Sequence, residues 1–281
     1  MKIGLVLEGG GMRGIYTAGV LEYLMEDNID VNYCIGVSAG ACNGVSYVSK
    51  QRGRNKIVDT KYIDDKRYIS ISNFIKTKSL FGMDFIFDEI PNKLEPFDYN
   101  KFNASPCEFV VGVTDAISGK TVYFTKDYMK KDARVIRASS SIPVFSPIVE
   151  YKGGKYLDGG TSDPIPVKKA LADGCDKVII VLTRHRQYRK SPEKMKRLYN
   201  RVLKEYPNMV SVLDNRHRVY NETLDYVKEL ENKGIAIVIA PSQELKISRF
   251  EKDKDKLLQV YDLGYNNCRD KKEEILKFLE H

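Results

Sequence analysis

Gly4–Leu24 reads GLVLEGGGMRGIYTAGVLEYL, and how it folds decides the rest of the molecule. Ile3–Leu7 is a short branched apolar run cut off by glycine, the signature of a buried strand. From Arg13 to Asp27 the spacing of Gly14, Ala18, Leu21, Leu24 and Met25 makes one apolar helical face, with Glu22 and Glu26 outside it. Val31–Ile35 predicts a second strand, followed by GVSAGA and a helix of small residues through Val48. Strand, tight turn and helix, twice in succession, imply parallel βα units. The expected class is α/β, with a mostly parallel central sheet and helices on both faces.

The rhythm breaks between Gln51 and Pro106, where charge mixes with phenylalanines and with Pro91, Pro96 and Pro106. An irregular or helical insertion at about 51–106 is expected over the sheet. CEFVVGVTDAISGKTVYFT predicts two strands around a Ser118-Gly119 turn, and the run into Asp158 predicts a helix end followed by short strands. Asp163-Pro164 has the form of a helix start, an N-cap aspartate with proline at the first helical position, running on to Ala172. KVIIVLT and GIAIVIA predict two more buried strands, separated by a long charged helical region. Amphipathic helices close the chain. With no repeat and no flexible linker, 1–281 is expected to be a single domain with a helical C-terminal part.

Of the 281 residues, 42% are hydrophobic and 30% charged, a globular balance, and the net charge of +8 favours anionic partners without choosing among them. Five scattered cysteines, with no C-x-x-C pair, argue against a disulfide framework and against a zinc site. The opening residues give no signal-peptide pattern and no apolar run reaches membrane-spanning length. The expectation is a cytoplasmic protein that touches membranes only peripherally.

Gly9, Gly11 and Gly14 carry the G-x-G-x-x-G spacing of dinucleotide loops. That use requires an acidic residue at the end of the second strand to hold the ribose. Here the strand ends Cys34-Ile35-Gly36-Val37-Ser38, and no acid stands there. What stands there is G-x-S-x-G, Gly36 to Gly40. In a nucleophile elbow the serine occupies a strained strand-to-helix turn whose flanks must be small. Acyl transfer through Ser38 would generate an oxyanion, and Gly9, Gly10 and Gly11 end the neighbouring strand on the same edge. Their bare amides, with that of Ala39, form the expected oxyanion hole. Arg13, just beyond, is placed to steady the loop or to meet a phosphate.

Ser38 needs a proton acceptor. Of three histidines, His281 is terminal and His217 lies in a charged helical stretch expected on the solvated surface. His185 follows a strand and completes a Ser…Asp…His order. Only two strands precede Ser38, however, and Arg184 and Arg186 would depress the basicity of His185. Asp158, at a strand end before Gly159 and Gly160, is the remaining candidate, although for this stretch alone a turn aspartate would be the favoured reading.

Three pieces in order, EGGGMRG (Glu8–Gly14), GVSAG (Gly36–Gly40) and DGG (Asp158–Gly160), together with ASSSIP (Ala138–Pro143), resemble the patatin-like phospholipases, particularly their bacterial branch. The resemblance frames Gly4 to Val167. It implies a patatin-like three-layer architecture and a lipid acyl hydrolase acting through a Ser38–Asp158 dyad with an oxyanion hole from Gly9, Gly10 and Gly11. It implies no metal and no organic cofactor. Many members carry aspartate where this chain has Glu8, and asparagine where it has Asp163; both departures bear on substrate and loop fit. A general carboxylesterase or thioesterase with the same dyad is the alternative, and a nucleotide-binding protein the more distant one.

Ser139, Ser140 and Ser141 lack glycine framing and are expected to make structural hydrogen bonds near the DGG turn. The phenylalanines from Phe74 to Phe102 suit a local core, with an acyl channel or lid as the functional alternative. Arg184–Lys204 is strongly basic, with Glu193 its lone acid, and is expected as a solvated helix face; peripheral contact with anionic lipid headgroups is the competing explanation. No nucleic-acid motif accompanies the charge. The expected partner is a lipid or small ester substrate, and the sequence leaves the oligomeric state open.

Overall fold

A computed structural model describes residues 1–280. Eight strands form one sheet: β1 (Ile3–Leu7), β2 (Tyr33–Gly36), β3 (Glu108–Asp115), β4 (Thr121–Thr125), β5 (Val149–Tyr151), β6 (Gly154–Asp158), β7 (Lys177–Val181) and β8 (Ala236–Ile239). The helices are α1 (Ile15–Glu26), α2 (Ala39–Val48), α3 (Arg54–Lys61), α4 (Ile71–Thr77), α5 (Tyr99–Ala104), α6 (Arg134–Ser139), α7 (Val167–Ala172), α8 (Lys196–Val202), α9 (Pro207–Asn232), α10 (Lys254–Arg269) and α11 (Lys272–Glu280). The five strands β3-β2-β1-β7-β8 are mutually parallel, and β4, β5 and β6 add an antiparallel portion.

Strands β1, β2 and β8 are buried along their whole length because both faces are covered. Side chains alternate across the sheet. Leu5, Leu7, Cys34 and Phe109 therefore enter one core, with α1, α2 and α10. Val6, Tyr33, Ile35 and Val110 enter a second, with α7 and α9. Three layers result, as expected. Helix α1 departs from the one-faced expectation: ten of its residues are buried, because α10 packs on the side away from the sheet. The crossing is close at two glycines. A Cβ on Gly19 would collide with the Tyr261 carbonyl, and one on Gly264 with the Tyr16 carbonyl.

The insertion contains α3, α4, α5 and a wide π-type helical stretch, Phe85–Leu94, with Pro91 inside it. Phe85, Phe87 and Phe102 are buried in the main core and not in a separate local one. Only Phe81 approaches the site described below, stacking on Phe250 at 5.8 Å between centroids.

One expected helix start moves. Helix α7 begins at Val167, not at Asp163-Pro164. The Asp163 carboxylate accepts the Tyr123 hydroxyl at 2.5 Å instead of capping. Pro166 also biases Ile165 away from helical geometry, which delays the start.

Candidate active site

Strand β3 acts as a ruler for the site. It pairs with β4 along Val110–Thr114, which occupies one edge. The other edge is shared: β2 runs parallel to it until Gly36 faces Val111, and β6 returns antiparallel until Asp158 faces Val113. The C-terminal ends of β2 and β6 therefore run head-on toward each other. Ser38 stands two residues past Gly36 and Asp158 is the last residue of β6, so their side chains meet. Ser38 Oγ donates to Asp158 Oδ2 at 2.6 Å, and both residues are buried.

The turn at Ser38 has the elbow geometry. Ser38 has φ 53° and ψ −127°, a conformation that costs a non-glycine residue about 1–3 kcal/mol. The following helix α2 starts at Ala39, so the hydroxyl sits at the positive end of its dipole. Gly40 lies against the carbonyls of Leu7 and Glu8, where any Cβ would collide. The small residues around Ser38 thus let α2 start directly against the end of β1.

That packing also brings the glycine loop beside Ser38. Met12 and Gly40 amides have protein acceptors, in Arg249 O and Val37 O. Among the described residues, the amides of Gly9, Gly10, Gly11 and Ala39 have none. Gly9, Gly10 and Gly11 line the same cavity as Ser38, a space of about 480 Å³ that also contains Asp158, Arg13, Phe145 and Phe250. Unpaired donors beside a positioned hydroxyl can hold a developing negative oxygen.

Burial raises the Asp158 carboxyl above the usual aspartate range, while the Ser38 hydrogen bond, the charge of Arg216 and the Gly160 amide oppose the rise. The Gly160 amide donates to Asp158 Oδ1 at 2.8 Å. Arg216, on α9, donates to the Gly160 carbonyl at 2.8 Å and fixes that turn. Burial makes a carboxylate so placed a stronger base than a solvated one, while these contacts favour its ionised form.

Glu8 does not face the substrate space as a free charge. Its Oε2 accepts the Thr183 amide at 2.5 Å and its Oε1 the Tyr220 hydroxyl at 2.7 Å. It ties the end of β1 to the end of β7 and to α9, and Thr183 Oγ1 in turn donates to the Gly9 carbonyl at 3.0 Å. Ser139 and Ser141 make the structural hydrogen bonds expected of them. Ser139 Oγ accepts the Ser38 amide at 2.8 Å, and Ser141 Oγ donates to the Arg137 carbonyl at 2.9 Å.

The two described histidines lie elsewhere. His185 lines a separate cavity with Gln187, Glu231 and Pro241. His217 is half-buried, with Nδ1 unpaired, where the sequence suggested a solvated surface; it sits on the α9 turn beside Arg216, whose anchoring to Gly160 draws that turn inward. His281 lies outside the described residues.

The basic stretch also differs from its expectation. Only Lys196–Val202 is regular helix, and residues Arg184, Tyr188, Lys190 and Met195 form a wall of the Ser38 cavity. Glu193 draws the stretch inward by pairing with Lys190 and Arg216. Sequence reasoning missed Arg216, Tyr220 and Arg249, which come from distant segments with no local motif.

Residues 5–171 match the profile of the patatin-like phospholipase family, and residues 206–280 match that of a domain of unknown function (DUF6363). The uncharacterized protein YjjU of Escherichia coli is 27% identical over 279 residues, covering 94% of this chain and 75% of that protein. Lysophospholipase NTE1 of Saccharomyces cerevisiae is 26% identical over 287 residues, covering 95% of this chain but 16% of that protein. Among solved structures, VipD from Legionella pneumophila superposes with a TM-score of 0.46 at 12% identity, covering 96% of this chain and 66% of that one.

Proposed function

The chain belongs to the patatin-like phospholipase family, and from that premise we propose that it is a serine acyl hydrolase cleaving lipid carboxylic esters of the phospholipid or lysophospholipid type. The observation that carries the proposal is the 2.6 Å hydrogen bond from Ser38 Oγ to Asp158 Oδ2, in a cavity that none of the described histidines lines.

In this reading Asp158 takes the Ser38 proton as Oγ attacks the ester carbonyl carbon. The carbonyl oxygen becomes an oxyanion, held by the amides of Gly9, Gly10, Gly11 and Ala39. On collapse the carbon–oxygen bond to the alcohol breaks, and Asp158 returns the proton to the departing alcohol. Asp158 then deprotonates a water that attacks the acyl-enzyme, and the fatty acid leaves as Ser38 recovers its proton. No step needs a metal or organic cofactor.

Residues 1–281 act as one unit in this proposal, since Arg216, Tyr220 and Arg249 from the C-terminal part complete the walls of the Ser38 cavity. Among the described residues no helix is long and apolar enough to cross a membrane. Lipid would be met at a surface, with the exposed basic side chains of the 184–204 stretch contacting anionic headgroups from the cytoplasmic side. Fluorophosphonate labelling followed by peptide mapping tests the nucleophile: a mass gain on Ser38 is expected, absent in Ser38→Ala. Label on another serine, or none, would reject the assignment.

A further inference from the structure

Three arginines beside the glycine loop have no salt-bridge partner among the described residues. Arg13 follows the loop on the short turn Gly11–Gly14; it is 8% exposed and its Nε has no hydrogen-bond partner. Arg184 lies just past the end of β7 and follows Thr183, whose amide and hydroxyl are fixed to Glu8 and to the Gly9 carbonyl. Arg249 packs over the loop from the other side, its carbonyl accepting the Met12 amide at 3.1 Å. All three line the cavity that holds Ser38.

Neighbouring basic residues do not share this isolation. Arg186 pairs with Glu231, Arg189 with Asp225, and Lys190 and Arg216 with Glu193. Among the described residues Arg13, Arg184 and Arg249 form no ion pair. The cavity's acids are engaged elsewhere: Asp158 by Ser38 and Gly160, Glu8 by Thr183 and Tyr220, Glu193 by Lys190 and Arg216. Burial, then the charges of Arg184 and Arg249, lower Arg13 to about 10 against the smaller opposing effects of Glu8 and Tyr188. Like charges gathered in a partly closed space repel, and a bound anion removes that cost. Planar guanidinium groups meet phosphate oxygens with paired hydrogen bonds.

We propose that Arg13, Arg184 and Arg249 form a subsite for a phosphate oxyanion beside the reacting ester. The phosphate could belong to a lipid headgroup, and that form of the inference rests on the acyl-hydrolase reading above; a free phosphate ion has the same chemistry. In the headgroup form the three arginines select phosphate-bearing esters over neutral ones by fixing the alcohol side while the acyl carbonyl faces the glycine amides.

Calorimetric titration of Ser38→Ala protein with inorganic phosphate, against chloride at matched ionic strength, tests the subsite without catalysis. Phosphate should bind, and Arg184→Gln or Arg249→Gln placed in that background should each weaken it about tenfold, as loss of one charge-assisted contact implies. Absence of binding, or affinity unchanged by both substitutions, overturns the subsite. The source is read from catalysis, comparing kcat/KM for lysophosphatidylcholine and a monoacylglycerol of the same chain. A tenfold fall in that ratio in Arg184→Gln enzyme assigns the subsite to the headgroup; weakened phosphate binding with an unchanged ratio assigns it to free phosphate. Should wild-type protein hydrolyse neither ester, the hydrolase reading fails, and the phosphate titration still decides the subsite.

Discussion

The backbone amide of Ser38 donates to Ser139 Oγ at 2.8 Å, so the elbow is held by a side chain 101 positions along the chain. Ser139 passes the bond on, donating to the Gly112 carbonyl at 2.7 Å. The Ser38 amide is thereby taken, and the amide left for an oxyanion on this side is that of Ala39. Ser139→Ala should leave a buried donor and a buried acceptor unpaired. The expected loss is about 2–3 kcal/mol of stability in denaturant titration, with a fall in kcat at unchanged KM as the elbow loosens. Wild-type stability and rate in this variant would remove Ser139 from the support of the site.

Backbone strain at Ser38 can be separated from its chemistry. Ser38→Ala and Ser38→Gly both lack the hydroxyl, but only glycine is at ease at φ 53° and ψ −127°. Ser38→Gly should therefore be more stable than Ser38→Ala by about 1 kcal/mol, as a higher Tm. Equal melting temperatures would show that the turn stores no strain.

The raised Asp158 carboxyl fixes two signs. Activity needs the ionised form, so kcat/KM should fall with decreasing pH on a limb lying above the ordinary aspartate value of about 3.9. For stability the sign is opposite. A folded pKa above the unfolded one favours the fold at low pH, and that contribution is lost as pH rises through the folded value. Asp158→Asn should thus raise Tm near neutral pH, and the gain should shrink toward about pH 4. A variant less stable than wild type at neutral pH would contradict the burial argument.

Glu8 is long enough to reach both Thr183 and Tyr220, which a shorter acid at this position would not do. Glu8→Asp should lose one of the two bonds and cost about 1–2 kcal/mol by chemical denaturation. Tyr220→Phe should cost a similar amount, and the double variant less than the sum, because both act on one contact. Full additivity would mean that the two side chains do not act together.

What was legible in the sequence was local. The two βα units, the elbow at Ser38 and the strand ending at Asp158 each rest on a run of neighbouring residues, and each forms where expected. The meeting of Ser38 with Asp158 depends on β6 taking over the edge of β3 that β2 vacates, a pairing no spacing records. The same holds for the burial of α1, which needs α10 from the far end of the chain, and for Arg216, Tyr220 and Arg249. Asp163-Pro164 misled because a tyrosine 40 positions earlier claims the carboxylate. The basic stretch misled because its single acid pairs inward and folds the segment over the cavity.

Catalysis as proposed depends on Asp158 as the proton acceptor of Ser38. The direct measurement is the steady-state hydrolysis of a lysophospholipid by Asp158→Asn and by His185→Ala, each confirmed folded by its melting curve. Asp158→Asn should lose about 10³-fold in kcat, the contribution of a positioned general base, and His185→Ala should match wild type. Near-normal turnover by folded Asp158→Asn, or its loss in His185→Ala, would contradict it.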